Sequence, residues 1–284
     1  MQLSSLHLQA FLEVARTGGF SRAAAALHVS QSALSQRIAN LEEELGVTLF
    51  VRDRSGARPT EAGERLLRHC RMQETLEGDL LRELRGAGDL AGEIRIGAFS
   101  TILRSVVLPA LAPLVAAHPG VRVEAANREL RDLPGLLRSG EVDYVLLDEP
   151  VAREGVRKEL LGYEENVLVA PRKKSPRVDI YLDHDAEDTT TERFFRLQGK
   201  KATGLKRCFL DEIYAILDGV ELGWGSAVVP RHLAQGRRDL VVVPGLKPLR
   251  VPVYLNYADQ PYYPKLHERV VETLKANAGK LLSN

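Results

Sequence analysis

Apolar residues near the start of the chain recur at helical spacing and predict a first pair of helices. The first runs from residue 3 to residue 16, and Gly18 and Gly19 end it. A short alanine-rich helix follows to about Leu27, with Ser21 as a suitable N-cap. The apolar stripe of the first helix is expected to be buried and consists of Leu8, Phe11, Leu12 and Ala15.

A third helix is predicted after His28 and Val29 interrupt the pattern. Ser30 is a good N-cap for it, and Gly46 is a suitable C-cap. Its apolar face carries Leu34, Ile38, Leu41 and Leu45. Two helices joined by a tight turn, with small alanines at the crossing, form a helix-turn-helix.

The opposite face of the third helix carries small and amide side chains, which can bond base edges in the major groove of DNA. These are Ser32, Ser35, Gln36 and Ala39. Its acids, Glu42 to Glu44, are confined to the C-terminal end, so only the N-terminal half can approach phosphates, as in recognition helices. An ordinary helical hairpin with a solvated polar face remains the alternative.

A short strand at residues 47–52 and a turn containing Gly56 and Pro59 predict a wing. Arginines in this segment, beside a recognition helix, predict phosphate clamping, and a solvated loop is the less favoured alternative. Arg37 lies on the flank of the third helix and is expected to touch phosphate rather than a base. The candidate DNA-contacting residues are Ser21, Ser30, Gln31, Ser32, Ser35, Gln36, Arg37, Arg52, Arg54 and Arg58.

Thr60 is expected to cap a long helix that reaches about Arg85. Its apolar seam indicates pairing with a second copy of the same helix, although packing on its own domain is the alternative. The residues expected at such a dimer contact are Leu66, Leu76, Leu80 and Leu84, with Cys70 in the same seam. The glycine-rich segment 86–92 is a hinge and the natural domain boundary.

From Glu93 onward the pattern changes to alternating strands and helices, which is typical of a parallel, doubly wound sheet. The predicted strands are residues 93–99, 121–126 and 142–148, with helices at 102–118 and 133–140 between them. Residues 165–171 and 251–257 are predicted to cross into and return from a second subdomain. A final helix spans residues 261–282.

Composition narrows the class of protein. The 284 residues are 44% hydrophobic and 27% charged, as in soluble globular proteins. The net charge is only +1, so DNA affinity must come from local clustering. The two cysteines, Cys70 and Cys208, give no disulfide framework. No signal peptide or apolar run near the roughly 20 residues of a membrane span is expected, which favours the cytoplasm and no membrane partner.

Catalytic chemistry has little support in the sequence. The motifs GxSxG and HExxH and the P-loop are absent. His184 between two aspartates has no further ligand at metal spacing, so a turn is expected there. Cys208 beside Arg207 hints at redox sensing, but we expect it in a buried, inert strand. We therefore expect no catalytic residue, metal or cofactor.

A ligand site is expected where the predicted parallel strands end, because open α/β sheets bind ligands there. Hydroxyls and backbone N–H groups at a helix start can hold a carboxylate, although helix capping alone would explain the same residues. Asp148 and Glu149 beside Arg128 would allow the site to bind a zwitterionic ligand as readily as a simple acid. The candidate effector-binding residues are Ser100, Thr101, Asn127, Arg128, Asp148 and Thr203.

The run AFLEVARTGGFSRAAAALHVSQSALSQRIANLEEELGVTLFVRDRSGARPTEAG strongly resembles the N-terminal domain of LysR-type transcriptional regulators. One departure is Arg37, where that family often carries Gln. The second half resembles the family's effector domain, which shares its architecture with periplasmic binding proteins. The resemblance implies an α+β bacterial regulator, dimeric or tetrameric, that binds double-stranded DNA and a small-molecule effector.

The resemblance also sets the expected domains. These are a winged helix-turn-helix at residues 1–59, a linker helix and hinge at 60–91, and an effector domain at 92–284. Within the last, subdomain I covers about 92–165 and 256–284, and subdomain II covers about 166–255. The alternative function is a solute-binding protein or an enzyme built on the C-terminal α/β domain. The sequence does not identify the effector.

Overall fold

A computed structural model describes residues 3–53, 56–84, 90–173, 179–200 and 204–283. The chain divides into two compact units. The first contains Met1–Asp89 and Gly135–Val142, and the second contains Leu90–Pro134 and Asp143–Asn284.

The first unit is a winged helix-turn-helix followed by one long helix. Its elements are α1 (Ser5–Thr17), α2 (Phe20–Ala26), α3 (Gln31–Leu45), β1 (Phe50–Asp53), β2 (Gly56–Pro59) and α4 (Glu61–Leu84). Gly18 ends α1 with φ 65°, a left-handed conformation that glycine adopts without strain. The N-cap prediction for Ser21 is wrong, because α2 already begins at Phe20 after Gly19. The wing strand begins at Phe50 and not at Val47.

Helices and wing of the first unit share one aromatic-centred core. The Phe50 ring lies 5.2 Å from Phe11 and 5.9 Å from Phe20, so the wing is anchored between α1 and α2. Leu67 and Cys70 of α4 are buried in the same core. The first half of α4 therefore packs on its own unit, and Leu66 packs there too instead of facing outward.

The rest of the described chain alternates strands and helices. In order these are β3 (Ala91–Ala98), α5 (Ser100–Ile102), a π-helical turn (Leu103–Val107), α6 (Leu108–Ala117), β4 (Gly120–Asn127), α7 (Leu133–Ser139), β5 (Tyr144–Leu147), β6 (Val156–Pro171), β7 (Ile180–Asp183), α8 (Thr190–Leu197), β8 (Lys206–Phe209), α9 (Ile213–Glu221), β9 (Ala227–Pro230), α10 (Arg231–Ala234), β10 (Leu240–Val242), β11 (Leu249–Ala258) and α11 (Lys265–Ser283). The division of the chain assigns most of α7 to the first unit.

Seven strands of the second unit form one mixed sheet in the order β10-β6-β11-β5-β3-β4, with β9 also paired to β6. Strand β3 is parallel to β4 and β5, whereas β6, β9, β10 and β11 run antiparallel to their neighbours. The predicted parallel, doubly wound sheet is therefore correct for three strands only. The two crossing segments, β6 and β11, pair antiparallel with each other over most of their length.

Two helical segments cover the parallel part of this sheet. The run from α5 to α6 and the final helix α11 bury Ile102, Val106, Val270 and Leu274 in one core with the strands. The prediction that the last helix packs on the first subdomain is thus confirmed. Residues 100–117 form an 18-residue stretch of mean hydropathy 1.6, long and apolar enough to span a membrane by composition. The expectation that no such run exists is wrong, although core packing accounts for its apolar character.

A histidine lies among tyrosines at the base of α11. The Tyr144 hydroxyl and His267 Nδ1 share a hydrogen bond of 2.8 Å, and the His267 ring stacks 4.9 Å from Tyr144 and 4.4 Å from Tyr263. Burial lowers the pKa of His267 to about 4 and raises that of Tyr144 well above its usual value. The half-buried imidazole is therefore neutral at pH 7 and stacks between the tyrosine rings.

This depressed pKa predicts an acid-sensitive second unit. An unfolded histidine takes up a proton below pH 6.5, whereas folded His267 resists until about pH 4, so stability falls as pH drops through that interval. His267→Gln should remove roughly 1–2 kcal/mol of the loss between pH 7 and pH 5. Urea unfolding followed by Trp224, the single tryptophan, reports on this unit. His118→Gln is the matched control, and equal pH dependence in both variants would contradict the assignment.

Candidate DNA-binding surface and effector site

Side-chain hydrogen bonds fix the start of α3, two of them local and one to α2. The Ser30 hydroxyl accepts the Ala33 N–H at 3.1 Å, which confirms Ser30 as the N-cap. Ser32 Oγ lies 3.0 Å from Ser30 Oγ. The Ser21 hydroxyl donates to Gln31 Oε1 at 3.1 Å and so joins the two helices of the motif.

The outer face of α3 is polar as predicted. Leu34, Ile38 and Leu41 are fully buried, whereas the predicted base-reading side chains are exposed or half-buried. Gln36 Nε2 donates to Asn40 Oδ1 at 2.7 Å, so Asn40 orients the Gln36 amide. The sequence interpretation missed Asn40, although its spacing of four residues from Gln36 places both on one helical face.

The wing does not gather its arginines into a single cluster. Arg52 is paired with Ala57, and Arg58 with Val51, so the two arginine side chains lie on opposite faces of the β1–β2 hairpin. The Arg52 guanidinium lies 3.8 Å from the centre of the Phe20 ring, which positions it beside α2. Arg54 lies outside the described residues.

Two contacts of the first unit fix the wing against the helices. The Glu42 carboxylate accepts the Leu49 N–H at 2.6 Å and the Phe50 N–H at 3.3 Å. At the other end, the Ala57 N–H donates to Gly18 O at 3.0 Å. Gly56 lies so close that a Cβ there would stand 2.3 Å from Gly18 O. Glu42 is therefore a wing anchor, and its charge at the end of α3 is not only a barrier to phosphate.

The candidate effector residues of the second unit converge at one edge of the sheet. Ala98 at the end of β3 is paired with Asn127 at the end of β4, and the Arg128 N–H donates to Ala98 O at 3.3 Å. Ser100 and Thr101 begin the helix that leaves β3, and Asp148 follows β5 at the same edge. Thr203 lies outside the described residues, so its proposed role stays a prediction.

Exposure distinguishes these residues. Thr101 is only 6% exposed, whereas Asn127 and Arg128 lie at the surface. The Arg128 guanidinium donates to Asn127 O at 2.8 Å and thus covers the end of its own strand. Thr101 is the most enclosed of the predicted contacts that the structure describes.

Two polar side chains that the sequence interpretation did not select also lie buried in this unit. Glu164 on β6 is 5% exposed, and its Oε1 lies 3.7 Å from Nε2 of His232 on α10. The sequence contains no signal that singles out Glu164, because the same strand also carries the acids Glu159 and Glu165. No local pattern could have paired it with His232, because the two residues are distant in the chain.

The structure tests the turn predicted at His184 and the burial predicted for Cys208. Asp185 Oδ1 accepts the N–H groups of Glu187 and Asp188, so the segment after β7 is the predicted turn. No group of three metal-ligating side chains occurs within the described ranges. The expectation that Cys208 is buried is wrong: its side chain is exposed, because β8 belongs to a separate two-stranded sheet.

Comparison with known proteins identifies both units. Residues 6–64 match the family described as "Bacterial regulatory helix-turn-helix protein, lysR family", and residues 87–279 match "LysR substrate binding domain". The probable HTH-type transcriptional regulator LrrA of Synechococcus elongatus is 34% identical over 80% of this chain and 81% of its own length. The HTH-type transcriptional activator IlvY of Salmonella typhimurium is 30% identical over 93% of this chain and 96% of its own.

Solved structures agree in fold. ArgP from Mycobacterium tuberculosis superposes with a TM-score of 0.80 at 25% identity, covering 98% of both chains. Full-length LysG from Corynebacterium glutamicum, solved with bound effector Arg, has a TM-score of 0.74 at 21% identity and covers 98% of this chain and 99% of its own. At 21% identity, the similarity to LysG shows a shared fold and nothing further.

The wing anchor generates a stability prediction for the first unit. Glu42→Ala removes the acceptor of two backbone N–H groups and should destabilise the unit by about 1–3 kcal/mol. Circular dichroism during urea unfolding measures this change. Glu43→Ala, at an exposed neighbouring position, is the matched control and should change stability by less than about 0.5 kcal/mol. Equal effects of the two substitutions would show that Glu42 does not anchor the wing.

Proposed function

The chain belongs to the LysR family of DNA-binding transcriptional regulators with an effector-binding domain, and from this premise we propose how its residues divide the work. Ser32, Ser35 and Gln36 of α3 read bases in the major groove, while Arg52, Arg54 and Arg58 hold phosphates. The single observation that carries this proposal is the exposed, acid-free N-terminal half of α3 above a fully buried apolar face.

The effector site is proposed at the sheet edge formed by Ser100, Thr101 and Asp148. Polar groups converge there at the ends of parallel strands, the usual ligand position in α/β sheets. The protein acts as a cytoplasmic sensor and not as an enzyme, and it requires no metal or cofactor for this role. An enzyme is the weaker alternative, since the sequence offers no nucleophile and base constellation.

We propose that ligand binding changes the closure of the two subdomains about β6 and β11. Their pairing is irregular between Val253 and Tyr254, which pair with Gly162 and Leu160, so that the register shifts there and Leu161 is left out of it. Such a shift bends a strand and gives a place where crossing strands can flex. A ligand shifts this equilibrium only by its difference in affinity for the two closure states.

The C-terminal half of α4 is proposed as the dimer contact. Leu80, Leu81 and Leu84 are 55%, 50% and 74% exposed, and Leu76, half-buried, precedes them by helical spacing. Leucines exposed on one helix at this spacing suit a helix pair between two subunits. Two-fold pairing would present two recognition helices to one site, and contacts between effector domains would extend the dimer to a tetramer.

Base reading and phosphate binding are separable by mutation. Gln36→Ala should change the preference at particular base pairs by about 1–3 kcal/mol. Arg52→Ala should instead weaken binding to all sequences and lower the salt slope by about one. Electrophoretic shifts compare the DNA upstream of the protein's own gene with a scrambled duplex at several salt concentrations. Unchanged sequence preference in Gln36→Ala, or binding by the intact protein that ignores sequence, would refute the proposal.

The dimer contact has its own test. Replacing Leu80 and Leu84 together with Asp places charges in the proposed seam and should yield monomers that lose sequence-specific DNA binding. Light scattering at micromolar concentration measures the mass, and Trp224 fluorescence checks that the effector domain remains folded. Leu197→Asp, at a leucine 45% exposed elsewhere, is the control. A double variant that stays dimeric would exclude α4 as the contact.

A further inference from the structure

The buried cluster of Thr101, Glu164 and His232 contains polar atoms that form no hydrogen bond of ordinary geometry with the rest of the described chain. Glu164 and Thr101 are 5% and 6% exposed, and the His232 side chain is 6% exposed. Glu164 Oε1, Thr101 Oγ1 and both ring nitrogens of His232 make no hydrogen bond. The 3.7 Å between Glu164 Oε1 and His232 Nε2 is too long for one.

Such groups are uncommon in a folded protein, because a buried polar atom without a partner loses its hydration and gains nothing in return. Four such atoms from three different elements therefore point to a group that enters from outside. A bridging water is the simplest such group, and a ligand group is the other.

The charges around Glu164 decide which kind of ligand group fits. Burial raises the pKa of Glu164 to about 8, and the charge of Asp148 adds to this rise. The Thr101 hydroxyl lies near enough to oppose the rise in part, although the two side chains do not form a hydrogen bond of ordinary geometry. Burial also lowers the pKa of His232 to about 4, so the ring is neutral at pH 7. The partner of Glu164 on β11 is Val251, which carries no charge. None of these groups supplies a positive charge to the carboxyl.

The cluster lies within the proposed effector site. Thr101 begins the helix after β3, and Asp148 follows β5, both at the sheet edge where the candidate effector residues converge. Glu164 lies on the crossing strand β6, and His232 lies on α10 just after β9. A ligand held by Thr101 therefore meets the Glu164 carboxyl.

We propose that the effector carries a cationic group, an ammonium or a guanidinium, that binds the carboxylate of Glu164, and that binding releases the proton held by this side chain in the free protein. The proposal rests on the proposed function, since it names the effector class of the same site. In the free protein, burial keeps Glu164 mostly protonated at pH 7. When the cation binds, the O–H bond breaks, the proton passes to the buffer and a charge-assisted hydrogen bond forms.

The test uses pairs of probes that differ by one cation. L-Arginine is compared with L-citrulline, which lacks the guanidinium charge, and L-norleucine with hexanoate, which lacks the ammonium. Calorimetric titration of the full-length protein at pH 7 in phosphate and in Tris measures proton release, because the two buffers differ in ionisation enthalpy. Titration at pH 6.5 and pH 8.5 measures the pH dependence.

We expect the cationic member of at least one pair to bind at least tenfold more tightly than its partner. That binding should release nearly one proton per site at pH 7 and tighten about 20-fold from pH 6.5 to pH 8.5. Glu164→Gln keeps the shape of the neutral side chain but cannot ionise, so the charge preference, proton release and pH dependence should all disappear. Glu159→Gln is the control on the same strand, where the acid instead pairs with Lys275 at 2.8 Å, and it should keep all three.

Several results would overturn the inference: no charge preference in either pair, no binding by any probe, or an unchanged charge preference in Glu164→Gln. A cluster that holds only structural water gives the first or second of these. Sequence-specific DNA binding is measured on the same protein sample without probe. Intact DNA binding with no charge preference overturns this inference alone, whereas loss of specific DNA binding overturns the proposed function.

Discussion

The second unit depends on the hydrogen bonds of one long strand. The 16 residues of β6 pair with β11 along residues 156–166 and then with β9 and β10 along residues 166–171. Ordinary strands have about 3–10 residues, so β6 is long enough to belong to both halves of the unit. The C-terminal part of β6, residues 166–171, pairs with β9 and β10 and so positions the second subdomain. A change in the course of β6 must therefore move both walls of the proposed site, and Glu164 lies where the strand passes from one half to the other.

Local patterns were sufficient for the helices of the first unit and insufficient for the sheet of the second. The face of α3, the cap at Ser30 and the final helix follow from spacing alone, because a helix is held by contacts within four residues. The direction of a strand in a sheet depends on partner strands that are far away in the chain. The alternation of predicted strands and helices contains no information about those partners. The return of β11 was predicted, but its antiparallel pairing with both β5 and β6 was not predictable from local patterns. The candidate site residues follow the same rule: Thr101 is predicted from its place after a strand, whereas Glu164 and His232 meet only through the tertiary fold.

The first unit contains residues whose structural role is not evident from the sequence. Glu42 looks like a surface acid at the end of a helix, yet it holds the start of the wing. Gly56 looks like an ordinary turn residue, yet the carbonyl of Gly18 leaves no room for a side chain there. Both residues fix the distance between α3 and the hairpin. The side chains that face DNA can vary while that distance stays constant, which separates the choice of target sequence from the integrity of the unit.

The pairing of β6 with β11 also sets an order of events on the ribosome. Leu249 pairs with Asn166, so about 80 residues must be translated after the first strand before the second is available. At about 5–20 residues per second, the nascent chain waits on the order of 10 s with one long strand edge unpaired. An exposed edge of this kind invites pairing with other chains. The winged unit has no such dependence on late residues for its core of α1, α2, α3 and wing, so it can fold while the sheet is still incomplete. Chaperones that shield nascent strands would therefore act on the sensor half of the protein far more than on its DNA-binding half.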